Sequence, residues 1–276
     1  MNLIMGSELS REIRTQLREE NERDGIQPVL AVLNVGDNSN NLLYIGLKES
    51  AIQQIGGRSE IVSLHQDISR EGLLEEIERF NHAPEVHGIL LQLPLSPALE
   101  PNREEFMAAI RPDKDVDGFN PVNWMGLSSG HYYYANCAAQ AALNIMKQYK
   151  GELAGLKVVM AGDSIDLIQP LSLLLLREQV ILTIVPSWPE GYYIDCDIAV
   201  VEKGGPHIIS PEHIAENCLL IDNGFYYGLD SKIKGNVDKD AFSQSEQEGW
   251  LLPVPGGLGP MLITQLMMNI HQAARR

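Results

Sequence analysis

Tyr44 and Lys48 are the residues of this chain best placed to do chemistry. They lie four apart in the stretch Asn41 to Lys48, NLLYIGLK, whose spacing predicts a helix, so a ring and an amine emerge on one face. An amine can act as a general base only if burial or polar neighbours lower its proton affinity, because an exposed lysine is charged at neutral pH. Taken alone, the pair reads as a core tyrosine beside a solvated lysine, since long charged side chains snorkel to water. Three other segments bear on it. His87 to Leu95, HGILLQLPL, is an apolar run that predicts a buried parallel strand ending in Gln92 and Pro94. A polar side chain there sits at a strand's carboxyl end, where open α/β sheets place their ligands. Lys114 to Asn120, KDVDGFN, is a carboxylate-rich turn holding Asp117, which read alone is a solvated loop. Pro253 to Pro260, PVPGGLGP, sets Pro255, Gly256 and Gly257 just before a C-terminal helix, and glycine lets backbone approach a ligand closely.

The elements that must position these residues alternate between strand and helix. Strands are predicted over Pro28 to Val35, Glu60 to Leu64 and Val86 to Leu91, with helices over Asn40 to Ile55 and Ser69 to Asn81. A Pro- and Asn-rich stretch, Asn120 to Gly130, leads to a helix over Ala138 to Tyr149, and the pattern then restarts. Leu156 to Ala161, Val180 to Val185, Ile198 to Val201 and Leu219 to Asp222 read as strands, with a helix over Pro170 to Arg177. Repeated βαβ units imply parallel sheets, here two, so the fold class is two-domain α/β with a boundary near Tyr134 to Ala138.

Composition narrows the function classes. A formal net charge of -16 over 276 residues argues against a nucleic-acid backbone or an anionic membrane as partner, since both need clustered Lys and Arg. The opening residues turn charged too quickly for a secretory signal, and no later run approaches a membrane span. Three widely separated cysteines, Cys137, Cys196 and Cys218, argue against a disulfide framework and fit a reducing cytoplasm. No two cysteines or histidines stand at zinc-ligand spacing, so no metal is expected.

Tyr44 with Lys48, LLQLPL, DKDVDGF and PVPGGLGP, in this order and spacing, resemble the bifunctional methylenetetrahydrofolate dehydrogenase/methenyltetrahydrofolate cyclohydrolase family. The resemblance runs from Val29 to the final helix. It implies a folate substrate, with Lys48 transferring protons, Tyr44 stacking on the substrate, Gln92 tuning the lysine and Asp117 gripping the pterin. Pro255, Gly256 and Gly257 would shape the wall of the substrate site. Asp37 also matches, while Asn41 stands where the family usually has serine. The resemblance further implies that residues 1–137 with 259–276 form the folate domain, that 138–258 form a Rossmann-like domain, and that the final helix returns to the first domain. A ligand cleft between the domains and a homodimer are implied in the same way.

The expected NADP site departs from the family pattern. Gly162-Asp163-Ser164 replaces Gly-Arg-Ser, so a carboxylate stands where an arginine would meet the cofactor's extra phosphate. Asp166 adds a second charge, and Ile168 occupies the place of the glycine that admits the pyrophosphate to the helix N-terminus. Pro186, Ser187, Trp188 and Pro189 replace a Cys-His-Ser-x-Thr segment, Glu202 brings a further carboxylate, and Asn136-Cys137-Ala138-Ala139 replaces Pro-Cys-Thr-Pro. These changes oppose NADP, and Asp163 is less harmful to NAD, which lacks the 2′-phosphate. The expectation is therefore a methenyltetrahydrofolate cyclohydrolase with impaired or lost dehydrogenase activity. A bifunctional enzyme with atypical NAD(P) binding and a non-catalytic folate-binding or regulatory paralogue remain open alternatives.

Overall fold

The computed structural model describes residues 1–228 and 232–276. The chain runs through β1 (Asn2–Leu3), α1 (Gly6–Asp24), β2 (Val29–Val35), α2 (Ser39–Gln54), β3 (Arg58–Leu64), α3 (Arg70–His82) and β4 (Gly88–Leu91). It continues through α4 (Arg103–Ala109), α5 (Pro121–Ser129), α6 (Cys137–Lys150), β5 (Lys157–Ala161), α7 (Ile168–Arg177), β6 (Ile181–Val185) and β7 (Ile198–Val201). The remaining elements are β8 (Leu219–Asp222), β9 (Tyr226–Tyr227), β10 (Ile233–Lys234), α8 (Lys239–Gln244), β11 (Trp250–Leu252) and α9 (Leu258–Ala273). No helix among the described residues is long and apolar enough to cross a membrane.

The chain divides into two compact units, Arg11–Cys137 with Ile263–Arg276, and Met1–Ser10 with Ala138–Leu262. In the first, three parallel strands stand in the order β3-β2-β4. β2 is the centre, and all seven of its residues, VLAVLNV, are buried, as a strand covered on both faces requires. Around Ala31, Leu33, Ile77, Phe80, Ile89 and Phe106 a single apolar cluster ties α3 and α4 to this sheet. Caps fix the helix starts: Asn38 accepts from the N–H groups of Asn40 and Asn41 to open α2, and Ser69 accepts from Gly72 to open α3. The end of α9 belongs to this unit, where Asn269 Nδ2 donates to the Val116 carbonyl at 2.8 Å.

The second unit carries six parallel strands in the order β1-β11-β8-β7-β5-β6. From β5 the chain goes to β6 on one side and then to β7 on the other, so the strand order reverses between β5 and β7. That reversal is the topological switch point at which doubly wound sheets receive ligands. The first ten residues, expected with the folate domain, group with this unit instead. The reason is backbone pairing: Asn2 and Leu3 lie in parallel register with Trp250 and Leu251, and Ile4 N donates to Leu251 O at 2.7 Å.

Candidate active site

Helix α2 buries a stripe made of Asn41, Ile45, Lys48, Ala51 and Ile52. Lys48 is thereby only 8% exposed, and its Nζ donates to Gln92 Oε1 at 3.0 Å. Gln92 stands just past β4, held by its own N–H on the Leu33 carbonyl at 2.8 Å. Its Nε2 donates to the Leu93 carbonyl at 2.8 Å, which turns the amide so that its oxygen faces the amine. Burial pushes the Lys48 amine below its ordinary value, against the opposing pull of the Asp117 carboxylate and then of Cys137. A neutral amine that spends one N–H on Gln92 keeps a lone pair for a proton, which is the state a general base needs.

Tyr44 stands one turn earlier on α2 and is 46% exposed, leaving its ring open to a stacking partner. Asn41 anchors the same turn by donating to the Pro94 carbonyl at 3.1 Å. Asp37 is exposed ahead of the helix.

The KDVDGFN turn divides its two carboxylates between different tasks. Asp115 is 2% exposed and accepts from Phe119 N at 3.2 Å, Asn120 N at 2.7 Å and Asn123 Nδ2 at 2.9 Å. Burial raises its carboxyl to about 7, while these three donors pull it down. Asp117 is half-buried, faces the field of Lys48 and bonds the Cys137 thiol, which burial first and Asp117 second hold in the neutral form. The turn needs glycine at Gly118, where φ is +79° and a Cβ would lie 2.5 Å from the backbone at Ala135 and Asn136.

A second cluster lines the switch point of the six-stranded sheet. Ala161 and Val201 are register partners at the ends of β5 and β7, so Gly162 and Glu202 follow them side by side. One Glu202 oxygen accepts from Asp163 N at 3.1 Å and Ser164 N at 3.0 Å, and the other accepts from Ser164 Oγ at 2.5 Å. Ser164 Oγ in turn accepts from Leu167 N at 3.3 Å and Ile168 N at 3.2 Å at the start of α7. Asp163 pairs with Lys203, and Ser187 is exposed beyond β6.

The structure thus brings Lys48, Gln92 and Asp117 together, with Tyr44 beside them on the same helix. Pro255, Gly256 and Gly257 lie in the other unit, between β11 and α9, where Gly256 O accepts from Ser7 N at 3.3 Å. Ile168 and Trp188 are 1% and 3% exposed, and Trp188 joins the apolar cluster of its unit. Sequence reasoning missed that Glu202 reaches the Gly162 turn, because they are forty residues apart and only the strand order joins them. It also missed Asp115, Cys137 and Asn269 as neighbours of the site.

Comparison with known proteins identifies the family. Residues 4–117 match the tetrahydrofolate dehydrogenase/cyclohydrolase catalytic domain, and residues 136–276 match the NAD(P)-binding domain of the same enzymes. Bifunctional protein FolD 1 of Syntrophomonas wolfei is 46% identical over 276 residues, covering 100% of this chain and 99% of that protein. The crystal structure of the bifunctional FolD dehydrogenase/cyclohydrolase of Campylobacter jejuni superposes with a TM-score of 0.91 at 30% identity, covering 100% of this chain and 99% of the other. FolD of Trypanosoma brucei, solved with NADP and an inhibitor, gives 0.86 at 26% identity, covering 99% of this chain and 97% of the other. The chain belongs to the tetrahydrofolate dehydrogenase/cyclohydrolase family.

Proposed function

We propose that this protein hydrolyses 5,10-methenyltetrahydrofolate to 10-formyltetrahydrofolate, and catalyses the reverse, with methylenetetrahydrofolate dehydrogenase activity impaired or lost. The observation that carries the first part is the buried Lys48 amine, held 3.0 Å from the Gln92 carbonyl oxygen and depressed in proton affinity by burial. A cationic substrate beside it adds like-charge opposition to protonation.

Water adds to the cationic methenyl carbon as its proton passes to Lys48 Nζ. The carbon to N5 bond then breaks. Lys48 returns the proton to N5 while the new hydroxyl loses its own to solvent and becomes the formyl oxygen, so one proton is released overall. Gln92 keeps the amine aimed through both protonation states, because its oxygen accepts from the neutral and the charged form alike. Asp117 steadies the charged lysine and accepts from N–H groups of the pterin, and Tyr44 offers its face for stacking.

The second part rests on the fit of a dinucleotide to the other unit. Its phosphates would need the N–H groups at the Gly162 turn, which Glu202 already uses, and they would meet Asp163 and Asp166. These residues do not fit a 2′-phosphorylated dinucleotide.

Two assays test the reading together. Absorbance of methenyltetrahydrofolate should decay faster with protein than in slow-hydrolysing buffer, while methylenetetrahydrofolate with NADP or NAD should form reduced cofactor at a rate near background. Decay no faster than buffer would overturn the cyclohydrolase, and rapid cofactor reduction would overturn the loss of dehydrogenase. Asp117→Ala should weaken folate binding about tenfold, the worth of one charged hydrogen bond. An unchanged dissociation constant by fluorescence titration would remove Asp117 from the binding site. Assembly as a homodimer and action in the cytoplasm belong to the same proposal, the first checked by light scattering.

A further inference from the structure

We propose that Glu202 is a built-in substitute for a phosphate: its carboxylate sits on the N–H groups of the Gly162 turn and keeps dinucleotide phosphates out. The inference rests on the reading that this protein's dehydrogenase is impaired, and supplies its physical cause. Strand order places the turn after β5 and the residue after β7 on the two sides of the sheet's switch point. Phosphate at such a point is ordinarily held by successive backbone N–H groups and by a hydroxyl near a helix start.

Here those donors have a resident anion. Asp163 N and Ser164 N share one Glu202 oxygen, Ser164 Oγ donates to the other at 2.5 Å, and the same hydroxyl oxygen receives Leu167 N and Ile168 N. The carboxylate is therefore linked, directly and through Ser164, to the first turn of α7. The fit is close. A Cβ on Gly162, whose φ is +145°, would lie 2.5 Å from Glu202 Oε1, so the glycine that would admit a ligand's phosphate admits this side chain instead. Ligand phosphate must displace an ionised carboxylate from charge-assisted bonds, and the intramolecular carboxylate does not lose translational freedom when it rebinds. Lys203, the cation next to the turn, is itself engaged by Asp163.

The test titrates full-length wild type, Glu202→Ala and Glu202→Gln with inorganic pyrophosphate, NAD and NADP by calorimetry. Methenyltetrahydrofolate hydrolysis, which Glu202 does not serve, checks that each variant is folded. Removing the carboxylate should tighten pyrophosphate and NAD at least about tenfold, the worth of one charged hydrogen bond returned to the ligand. Glu202→Gln should move the same way by less, since a neutral amide competes more weakly. NADP should gain less than NAD, because Asp163 still faces the 2′-phosphate. If Glu202→Ala does not fold, Glu202→Gln decides alone. Folded variants that bind no tighter than wild type overturn the proposal while leaving the loss of dehydrogenase standing. Wild type that reduces NAD or NADP rapidly overturns that loss and, with it, the exclusion of dinucleotide by Glu202.

Discussion

Lys48→Met is expected to lower the cyclohydrolase rate about 10²- to 10⁴-fold, the range a positioned general base contributes, with folate affinity changed only a fewfold. Methionine keeps the length and apolar stem of lysine in a site that is 8% exposed, so the helix stripe of Asn41, Ile45, Ala51 and Ile52 stays packed. It also removes a group whose charged form burial disfavours, and the variant should therefore be at least as stable as wild type near neutral pH. The cost is one unpaired oxygen on Gln92, about 1 kcal/mol. Wild type has a second signature. Because Lys48 must be neutral to accept a proton, kcat/KM should rise with pH along an acid limb whose midpoint lies below the ordinary lysine value. Stopped-flow absorbance, corrected for buffer hydrolysis, measures both quantities. A variant that still turns over at the wild-type rate would exclude Lys48 as the base and favour a binding or regulatory role for the protein.

Most of what surrounds Lys48 was legible in the sequence because it is local. The apolar run ending at Gln92 and the four-residue spacing of Tyr44 and Lys48 each survive as single elements, β4 with its exit and α2. Helices α1, α4, α5 and α8 were not read, and the first and third of these show why. Gly6–Asp24 carries so many charges that its buried positions are largely polar, Ser10 and Asn21 among them with Leu17, and the apolar period is too sparse to detect. Pro121–Ser129 sits inside a stretch taken as a connection, although its stop and start signals were present: Asn120 caps it by accepting from Val122 N at 2.8 Å, Pro121 opens it and Gly130 closes it at φ +79°. The pairing of β1 with β11 could not be read, since two residues near one end carry no pattern and the partner lies some 250 residues away. Glu202 shows the same limit in the site. Its charge was visible in the chain, but whether a carboxylate repels a ligand from a distance or replaces it depends on which strands are neighbours.

Asp115→Asn should destabilise the protein by about 2 to 4 kcal/mol, at about 2 kcal/mol for each buried donor left without an acceptor. Both Asp115 oxygens are in use, one by Phe119 N and the other by Asn120 N and Asn123 Nδ2, and an amide supplies only one oxygen. Its NH₂ group would face either one donor or two. The loss spreads, because Asn120 and Asn123 are themselves committed: Asn120 Nδ2 donates to Ile110 O at 2.7 Å, and Asn123 Oδ1 accepts from Tyr133 N at 3.0 Å. Those bonds set the path of the chain around Gly118 and hence the position of Asp117 beside Lys48. Folate affinity should accordingly fall together with stability, which Asp117→Ala should not reproduce. The pH dependence gives an independent check. Burial raises the Asp115 carboxyl to about 7, above its value in the unfolded chain, so the folded state retains a proton that the unfolded state has already released. Stability from this group is therefore complete below the unfolded value, is lost as pH rises through that window, and is level above about 7. Urea unfolding at a series of pH values should show wild type losing more stability than Asp115→Asn across the window, so the gap between them narrows towards neutrality. Parallel curves would mean that the three donors outweigh burial and that Asp115 is ionised throughout.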